Sequence, residues 1–158
     1  MTEDEIVSET LRYPAQYVVI TGGEPTLQLT PSLLSKLRKA GKKIQVETNG
    51  SIDLPDDTLR LIDHITCSPK NAPLRLRRID ELKVVFEAEY LPLPETQTRR
   101  LADFERLASR LGATCSLQPC DVGDMARNRA IIETAISYIL LHPAWTLSLQ
   151  THKMLNMR

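Results

Sequence analysis

The residues with the clearest chemical potential lie in three short segments, each at the end of a predicted strand: Thr21–Pro25, Glu47–Gly50 and Cys67–Lys70. Two glycines in the first segment let the backbone approach a ligand closely, and the glutamate there can accept hydrogen bonds. The second segment offers a carboxylate and an Asn-Gly turn with positive φ, and the third offers a hydroxyl and an ammonium group. These residue types indicate a site for a small molecule with amine, hydroxyl and acidic groups.

Each segment, taken alone, also has a structural interpretation. The glycine pair can be a tight strand-to-helix turn, Glu47 a solvated loop residue, and Lys70 an exposed turn residue. Lys83 inside an apolar strand and Gln118 near the end of another extend the pattern, with an edge-strand lysine and a satisfied buried amide as alternatives. Because parallel strands end at one edge of a sheet, the joint occurrence favours a single ligand-sized cleft.

Strands and helices alternate along the chain, which predicts right-handed βαβ units and a parallel sheet. A capping box at Thr2 and Glu5 begins the first helix, and Asp124 can cap a long helix near the C-terminal end. The first strand is a continuous apolar run, which predicts burial on both faces. The strands are predicted at 17–21, 43–48, 64–67, 82–86, 114–118 and 145–150.

The predicted fold class is α/β, organised as a single domain over residues 1–158. An eight-fold barrel needs about 250 residues, so this chain can form part of one or a small open sheet. The first element is a helix rather than a strand, which leaves the predicted sheet unfinished on its N-terminal side. An unpaired edge and exposed apolar surface are therefore expected, and both favour self-association.

Composition narrows the classes of function without defining a chemistry. The chain has 20 basic and 20 acidic residues, and this balance argues against nucleic acid as a main partner. No run approaches the roughly 18 apolar residues of a membrane span, and the acidic N-terminus is unlike a signal peptide. The cysteines are too few for a disulfide framework and lack close metal-binding spacing, so a cytoplasmic location is expected.

Longer motifs in the chain resemble a known family. TGGEP, ETNG, CSPK, DELKVV, LQP and LSLQTHKMLNMR resemble segments of 7-carboxy-7-deazaguanine synthase, a small radical S-adenosylmethionine enzyme of queuosine and deazapurine biosynthesis. The resemblance covers the chain from Tyr17 onward. GGEP alone indicates only the radical S-adenosylmethionine superfamily, whereas CSPK together with LSLQTHK points to this family. The resemblance implies the C-terminal portion of a partial (βα) barrel, without its first strand and cluster loop.

The resemblance also implies a reaction of the carbon–nitrogen lyase class. A reduced [4Fe-4S] cluster would cleave S-adenosylmethionine, and the resulting 5′-deoxyadenosyl radical would take hydrogen from 6-carboxy-5,6,7,8-tetrahydropterin. Ring contraction with loss of ammonia would then give 7-carboxy-7-deazaguanine, assisted by magnesium (Mg2+). The implied partners are the pterin substrate and a flavodoxin-type electron donor. A homodimer is compatible with the resemblance, and neither a membrane nor nucleic acid is expected as a partner.

Two sets of site residues follow from the resemblance. The first set would bind S-adenosylmethionine. Its amino group would be bound by Gly22, Gly23 and Glu24, and its ribose and aminoacyl portion by Glu47 and Asn49. Its carboxylate would be bound by Ser68 and Lys70. The second set would face the pterin substrate, and it consists of Thr21, Gln118, His152 and the terminal carboxylate of Arg158.

The chain departs from the family pattern in its cysteines. Family members carry a CxxxCxxC loop whose three thiolates bind three irons of the cluster. Here Cys67, Cys115 and Cys120 are widely spaced and fall in other motifs, so ligands for the cluster and for Mg2+ are missing and no catalytic residue is assigned. We expect a truncated chain that is inactive alone. The alternative is a non-catalytic module that binds S-adenosylmethionine or a pterin.

Overall fold

A computed structural model describes residues 1–70 and 73–154 of the chain, apart from the side chains of His152 and Met154. The chain divides into two compact units, the first comprising Met1–Asp80 and the second beginning at Glu81. Parallel strands separated by helices form both units, which confirms the α/β class. The organisation as one domain stays a prediction.

The first unit contains a three-stranded parallel sheet and three α-helices. In chain order its elements are α1 (Glu3–Leu11), β1 (Tyr17–Ile20), a 3₁₀ turn (Pro25–Leu27), α2 (Pro31–Lys39), β2 (Lys43–Thr48), α3 (Asp56–Leu59) and β3 (His64–Cys67). Strand β2 lies between β1 and β3, with Val46 beside Ile20 on one side and beside Ile65 on the other. Its inward residues Ile44 and Val46 are fully buried, so β2 forms the centre of this core.

Local capping explains where α1 and α2 begin. The predicted capping box is confirmed, because the Thr2 amide donates to the Glu5 carboxylate and the Glu5 amide donates to the Thr2 hydroxyl. The Thr30 hydroxyl accepts the Leu33 amide, which caps α2, and it donates to Glu3 Oε1 over 2.6 Å. The contact between Thr30 and Glu3 joins the first turns of α1 and α2, so the two helices begin next to each other.

The prediction that β1 is buried on both faces is wrong. Tyr17 is 49% exposed and Val19 is 47% exposed, while Val18 and Ile20 are half-buried. A parallel strand is buried on both faces only where other elements cover both, and within the described first unit β1 pairs with β2 alone. The exposed apolar edge expected from the sequence is therefore present, and self-association through it stays a prediction.

The second unit is also a three-stranded parallel sheet. Its elements are β4 (Glu81–Phe86), α4 (Glu95–Leu111), β5 (Thr114–Pro119), α5 (Met125–Leu141), β6 (Trp145–Leu147) and α6 (Thr151–Met154). Strand β5 is central, with Cys115 beside Leu82 on one side and beside Trp145 on the other. The last strand ends three residues before the predicted limit, and a short helix that was not predicted begins at Thr151.

Helix α5 is apolar on more than one side. It begins after Asp124, whose carboxylate accepts a hydrogen bond from the Arg127 amide, as the sequence predicted. The buried side is formed by Ile131, Thr134, Ala135 and Tyr138, whereas Ile136 and Leu140 are exposed. In the described part of the chain, no helix combines the length and the apolar character that crossing a membrane requires.

Candidate functional site

Three turns leave adjacent strands at the carboxyl end of the first unit's sheet. We name them the GGEP turn (Gly22–Pro25), the ETNG turn (Glu47–Gly50) and the SPK segment (Ser68–Lys70). The register places Ile20 beside Val46 and Thr48 beside Cys67, so the three strands end at neighbouring positions. The structure therefore brings together the three segments singled out from the sequence, at the edge where parallel α/β proteins bind ligands.

The Glu24 carboxylate connects the GGEP turn to the ETNG turn. Its Oε1 accepts hydrogen bonds from the Thr26 amide at 3.2 Å and from the hydroxyls of Thr26 and Thr48 at 2.5 Å each. Its Oε2 accepts a hydrogen bond from the Asn49 amide at 2.8 Å. Glu24 thus caps the 3₁₀ turn and holds the beginning of the next turn at the same time.

These contacts also set the protonation of Glu24. Partial burial alone would raise its pKa, but the hydrogen bonds from Thr26, Thr48 and the Asn49 amide outweigh burial and hold the pKa below its usual value. Glu24 is therefore ionised at neutral pH, and its negative charge lies between two of the three turns.

Thr48 contacts all three turns, and the sequence analysis did not single it out. Its hydroxyl donates to Glu24 and accepts from the Gly50 amide at 3.1 Å, while its carbonyl accepts from the Ser68 amide at 2.7 Å. The residue is 4% exposed. The signal that would have found it is the two-residue period of β2, which places Thr48 on the buried face with Ile44 and Val46.

Gly50 packs closely enough to exclude a side chain. Its φ is +74°, and a Cβ at this position would lie 2.3 Å from Leu74 Cδ1 and 2.6 Å from Cys67 Sγ. The Gly50 carbonyl also accepts the Arg75 amide at 2.8 Å. The positive-φ turn predicted from Asn-Gly is confirmed, and close packing fixes it against β3.

The two glycines of the GGEP turn lie in open space instead. Gly22 and Gly23 have φ values of +92° and +56°, and a Cβ at either position would meet no atom within 4 Å. Thr21, which precedes them, is exposed. The backbone of this turn is therefore accessible to a ligand.

The other predicted residues of the first unit lie around these turns. Glu47 is half-buried within β2, at a position that alternates with Thr48. Asn49 is half-buried, and its Oδ1 accepts the Ser51 amide at 2.8 Å, which stabilises the turn itself. Ser68 is half-buried and Lys70 is exposed. All seven residues predicted to bind S-adenosylmethionine thus lie in the three turns.

The residues predicted to face the pterin are distributed differently. Thr21 lies in the first unit, and Gln118 is half-buried on β5 of the second unit, beside Val85. His152 belongs to α6, but its side chain lies outside the described residues, as does all of Arg158. Lys83, the other polar strand residue noted in the sequence, is half-buried on β4 beside Ser116.

The cysteines and the other described side chains do not fit an iron–sulfur cluster. Burial, with the charge of Glu24 adding to it, raises the pKa of the Cys67 thiol to about 12. Burial and the nearby Glu105 carboxylate raise the pKa of Cys115 to about 11. Among the described residues, no group of three or more His, Cys, Asp or Glu side chains is placed to hold a metal ion.

The fold and the three turns define an α/β protein of parallel strands with a candidate small-molecule site at the strand ends. Comparison with known proteins narrows this class. The chain is 38% identical over 159 residues to the 7-carboxy-7-deazaguanine synthase of Bacteroides thetaiotaomicron, covering all of this chain and 74% of that protein. It is 46% identical over 144 residues to the enzyme of the same name from Bradyrhizobium diazoefficiens. The chain belongs to the 7-carboxy-7-deazaguanine synthase family.

A solved structure is similar over almost the whole chain. It is the crystal structure of QueE from Escherichia coli, matched with a TM-score of 0.63 and 25% sequence identity over 95% of this chain and 64% of that one. No protein-family model matches the chain. The chain spans 60% of the Bradyrhizobium relative, so it corresponds to part of the length of several proteins it resembles.

Proposed function

We propose that this chain provides the S-adenosylmethionine-binding turns and part of the pterin-binding surface of a 7-carboxy-7-deazaguanine synthase. One observation carries the proposal: three turns with amine-, hydroxyl- and carboxylate-binding groups are joined at one edge of the first unit, as in a preformed site. Membership of the family supports the same assignment, because the relatives carry the name of this enzyme.

In the proposed complex the accessible backbone of Gly22 and Gly23, with Glu24, binds the amino group of S-adenosylmethionine. Their open space favours close approach, and the ionised Glu24 favours a cationic amine nearby. Glu47 and Asn49 bind the ribose and aminoacyl portion.

The carboxylate of S-adenosylmethionine lies at the SPK segment in this proposal. The Ser68 amide already donates to Thr48, so the Ser68 hydroxyl and the exposed Lys70 ammonium are the groups that contact the ligand. Thr21, Gln118, His152 and the Arg158 carboxylate face 6-carboxy-5,6,7,8-tetrahydropterin, which is converted with loss of ammonia. A cytoplasmic location, a flavodoxin-type electron donor and a homodimer complete the proposal.

The described residues do not supply ligands for a [4Fe-4S] cluster or for Mg2+, so no step of the reaction is assigned through either group. Their cysteines are buried and held protonated at neutral pH, or lie apart from other ligands. This observation favours a second candidate function, a non-catalytic module that binds S-adenosylmethionine or a pterin. If the module binds S-adenosylmethionine, the first unit has the same task in both functions.

The test is a titration of the isotopically labelled chain, followed by amide chemical shifts in NMR spectra. S-adenosylmethionine is expected to shift the amides of Gly22, Gly23 and Asn49, while adenosine, which lacks the amino and carboxylate groups of the methionine portion, shifts fewer of them. The tetrahydropterin, added under anaerobic conditions, is expected to shift Gln118. Shifts confined to other surfaces, or none with either ligand, would overturn the proposal.

An assay for 5′-deoxyadenosine separates the two candidate functions. The chain is incubated with iron, sulfide, a reductant, S-adenosylmethionine and the tetrahydropterin. The module predicts ligand binding without 5′-deoxyadenosine. Formation of 5′-deoxyadenosine and 7-carboxy-7-deazaguanine by this chain would exclude the module and overturn the expectation that it is inactive alone.

A further inference from the structure

We propose that Thr48 is the positioning residue of the S-adenosylmethionine site, with its hydroxyl and carbonyl fixing the spacing of the GGEP turn, the ETNG turn and the SPK segment. The inference rests on the proposed function, since it assigns a role within that site. Thr48 lies beneath the turns and is 4% exposed, so it acts on the ligand through other residues rather than by contact.

Each of the three turns is connected to Thr48 by a hydrogen bond. The hydroxyl proton is donated to Glu24 Oε1 at 2.5 Å, which connects the GGEP turn. The hydroxyl oxygen accepts the Gly50 amide at 3.1 Å, which closes the ETNG turn. The carbonyl accepts the Ser68 amide at 2.7 Å, which connects the SPK segment. One residue thereby relates three segments that are distant in the sequence.

Burial makes these connections strong. Burying a hydroxyl costs free energy unless the hydroxyl is hydrogen-bonded. A hydrogen bond to a charged acceptor is stronger than one between neutral groups. The Thr48 hydroxyl both donates to the ionised Glu24 and accepts from the Gly50 amide, and these two hydrogen bonds fix the side-chain rotamer. The Glu24 carboxylate in turn accepts from Thr26 and Asn49, which extends the order imposed by Thr48 into both neighbouring turns.

Fixed spacing matters because S-adenosylmethionine is bound by groups on all three turns in the proposed complex. A site whose parts are already in place does not have to become ordered when the ligand binds, and affinity is higher for that reason. If Thr48 sets the spacing, removing its hydroxyl lowers affinity although every residue that contacts the ligand is retained.

The test compares Thr48→Val with Thr48→Ser and with a matched control, Thr58→Val. Valine has nearly the shape of threonine and removes only the hydroxyl, whereas serine retains the hydroxyl. Thr58 is a suitable control because it is 3% exposed in the same unit and its hydroxyl also donates to a carboxylate, Asp57, at 3.2 Å. Thr58 lies in α3, outside the three turns.

Two quantities are measured for each variant: the Kd for S-adenosylmethionine, by calorimetry, and the hydrogen-exchange rates of single amides, by NMR. Thr48→Val is expected to raise the Kd at least about tenfold and to accelerate exchange at the Gly50 and Asn49 amides by a similar factor. Thr48→Ser should restore both values to near those of the wild type. Thr58→Val should change neither, although it lowers overall stability.

The outcomes separate the two proposals. If the wild type binds S-adenosylmethionine and Thr48→Val binds it equally well, the role of Thr48 is wrong and the proposed function stands. If the wild type does not bind, the proposed function of this chain is wrong, and with it the role of Thr48 in a ligand site. If Thr48→Val does not fold, Thr48→Ala removes the hydroxyl without adding apolar bulk beside Glu24 and is read in the same way.

Discussion

The two units end their strands in different ways. In the first unit, the turns after β1, β2 and β3 are joined by a partly buried network centred on Thr48 and Glu24. In the second unit, the segment after β5 contains Asp121, which accepts hydrogen bonds from the Gly123 amide at 3.0 Å and from Asn128 Nδ2 at 2.8 Å. Lys153 Nζ lies 3.5 Å from the same carboxylate, whose side chain is 41% exposed.

The difference indicates which unit holds the segments after its strands more rigidly. Hydrogen bonds to a carboxylate partly shielded from water contribute more than the same bonds at an exposed position, where water competes and salt screens the charge. The first unit therefore has a preformed arrangement of turns, whereas the corresponding segment of the second unit has an exposed network that contributes less to rigidity. We expect substitutions in the first network to have the larger effects.

The largest effect is expected for Gly50→Ala. An alanine Cβ would meet Leu74 and Cys67 and would also adopt an unfavourable positive φ, so the free energy of unfolding should fall by about 3 kcal/mol. Gly41→Ala is the control, because Gly41 has φ +80° with open space around its Cβ position. Urea unfolding of both variants measures the difference, and equal losses would show that close packing at Gly50 contributes nothing.

A smaller effect is expected on the ionisation of Glu24. Its pKa is lowered in the folded chain, so ionised Glu24 stabilises the fold above its unfolded pKa of about 4.3, and this contribution is lost as pH falls through the folded pKa. Thr48→Val removes one hydrogen-bond donor and should raise the pKa. The Glu24 pKa is measured in the wild type and in Thr48→Val by following the carboxyl carbon-13 shift as the pH changes.

Glu3 provides the reference for that titration. Hydrogen bonds from Thr30 and Ser32 hold the pKa of Glu3 at about 2, and this group lies far along the chain from Thr48. Its titration should be the same in the wild type and in Thr48→Val. A Glu24 pKa that is unchanged by Thr48→Val would show that the hydroxyl does not stabilise this carboxylate.

The smallest effect is expected for Asp121→Asn in the second unit. The exposed carboxylate has a lowered pKa because of the Gly123 amide and Asn128, but water can replace these contacts. The midpoint of urea unfolding and the affinity for S-adenosylmethionine should stay close to those of the wild type. A loss as large as that of Thr48→Val would remove the proposed contrast between the two units.

Much of the fold could be predicted from local signals. The capping box at Thr2 and the cap at Asp124 each depend on neighbouring residues, and both are confirmed. The exposure of β1 could not be predicted in this way, because it depends on which elements cover the strand. The helix α6 also escaped prediction, since four residues provide too little periodicity to distinguish a helix from an irregular tail.

The three segments of the candidate site could be predicted from the sequence, but the hydrogen bonds that join them could not. Glycines, a glutamate and a lysine at strand ends indicated the three turns directly. Thr48 gave no such signal, because a threonine in a strand is ordinarily a packing residue and its partners Glu24 and Ser68 are more than 19 positions away along the chain. Its burial was predictable from the two-residue period of β2, but its contacts with Glu24 and Ser68 became visible only once the register of β1, β2 and β3 was known.

The most direct measurement is a calorimetric titration of the iron-free chain with S-adenosylmethionine at neutral pH. The central claim is that the turns of the first unit are joined before any ligand or metal arrives. It predicts saturable binding of one equivalent with a Kd in the micromolar range or below. An absence of binding under these conditions would contradict it, because the turns would then require elements beyond this chain to form the site.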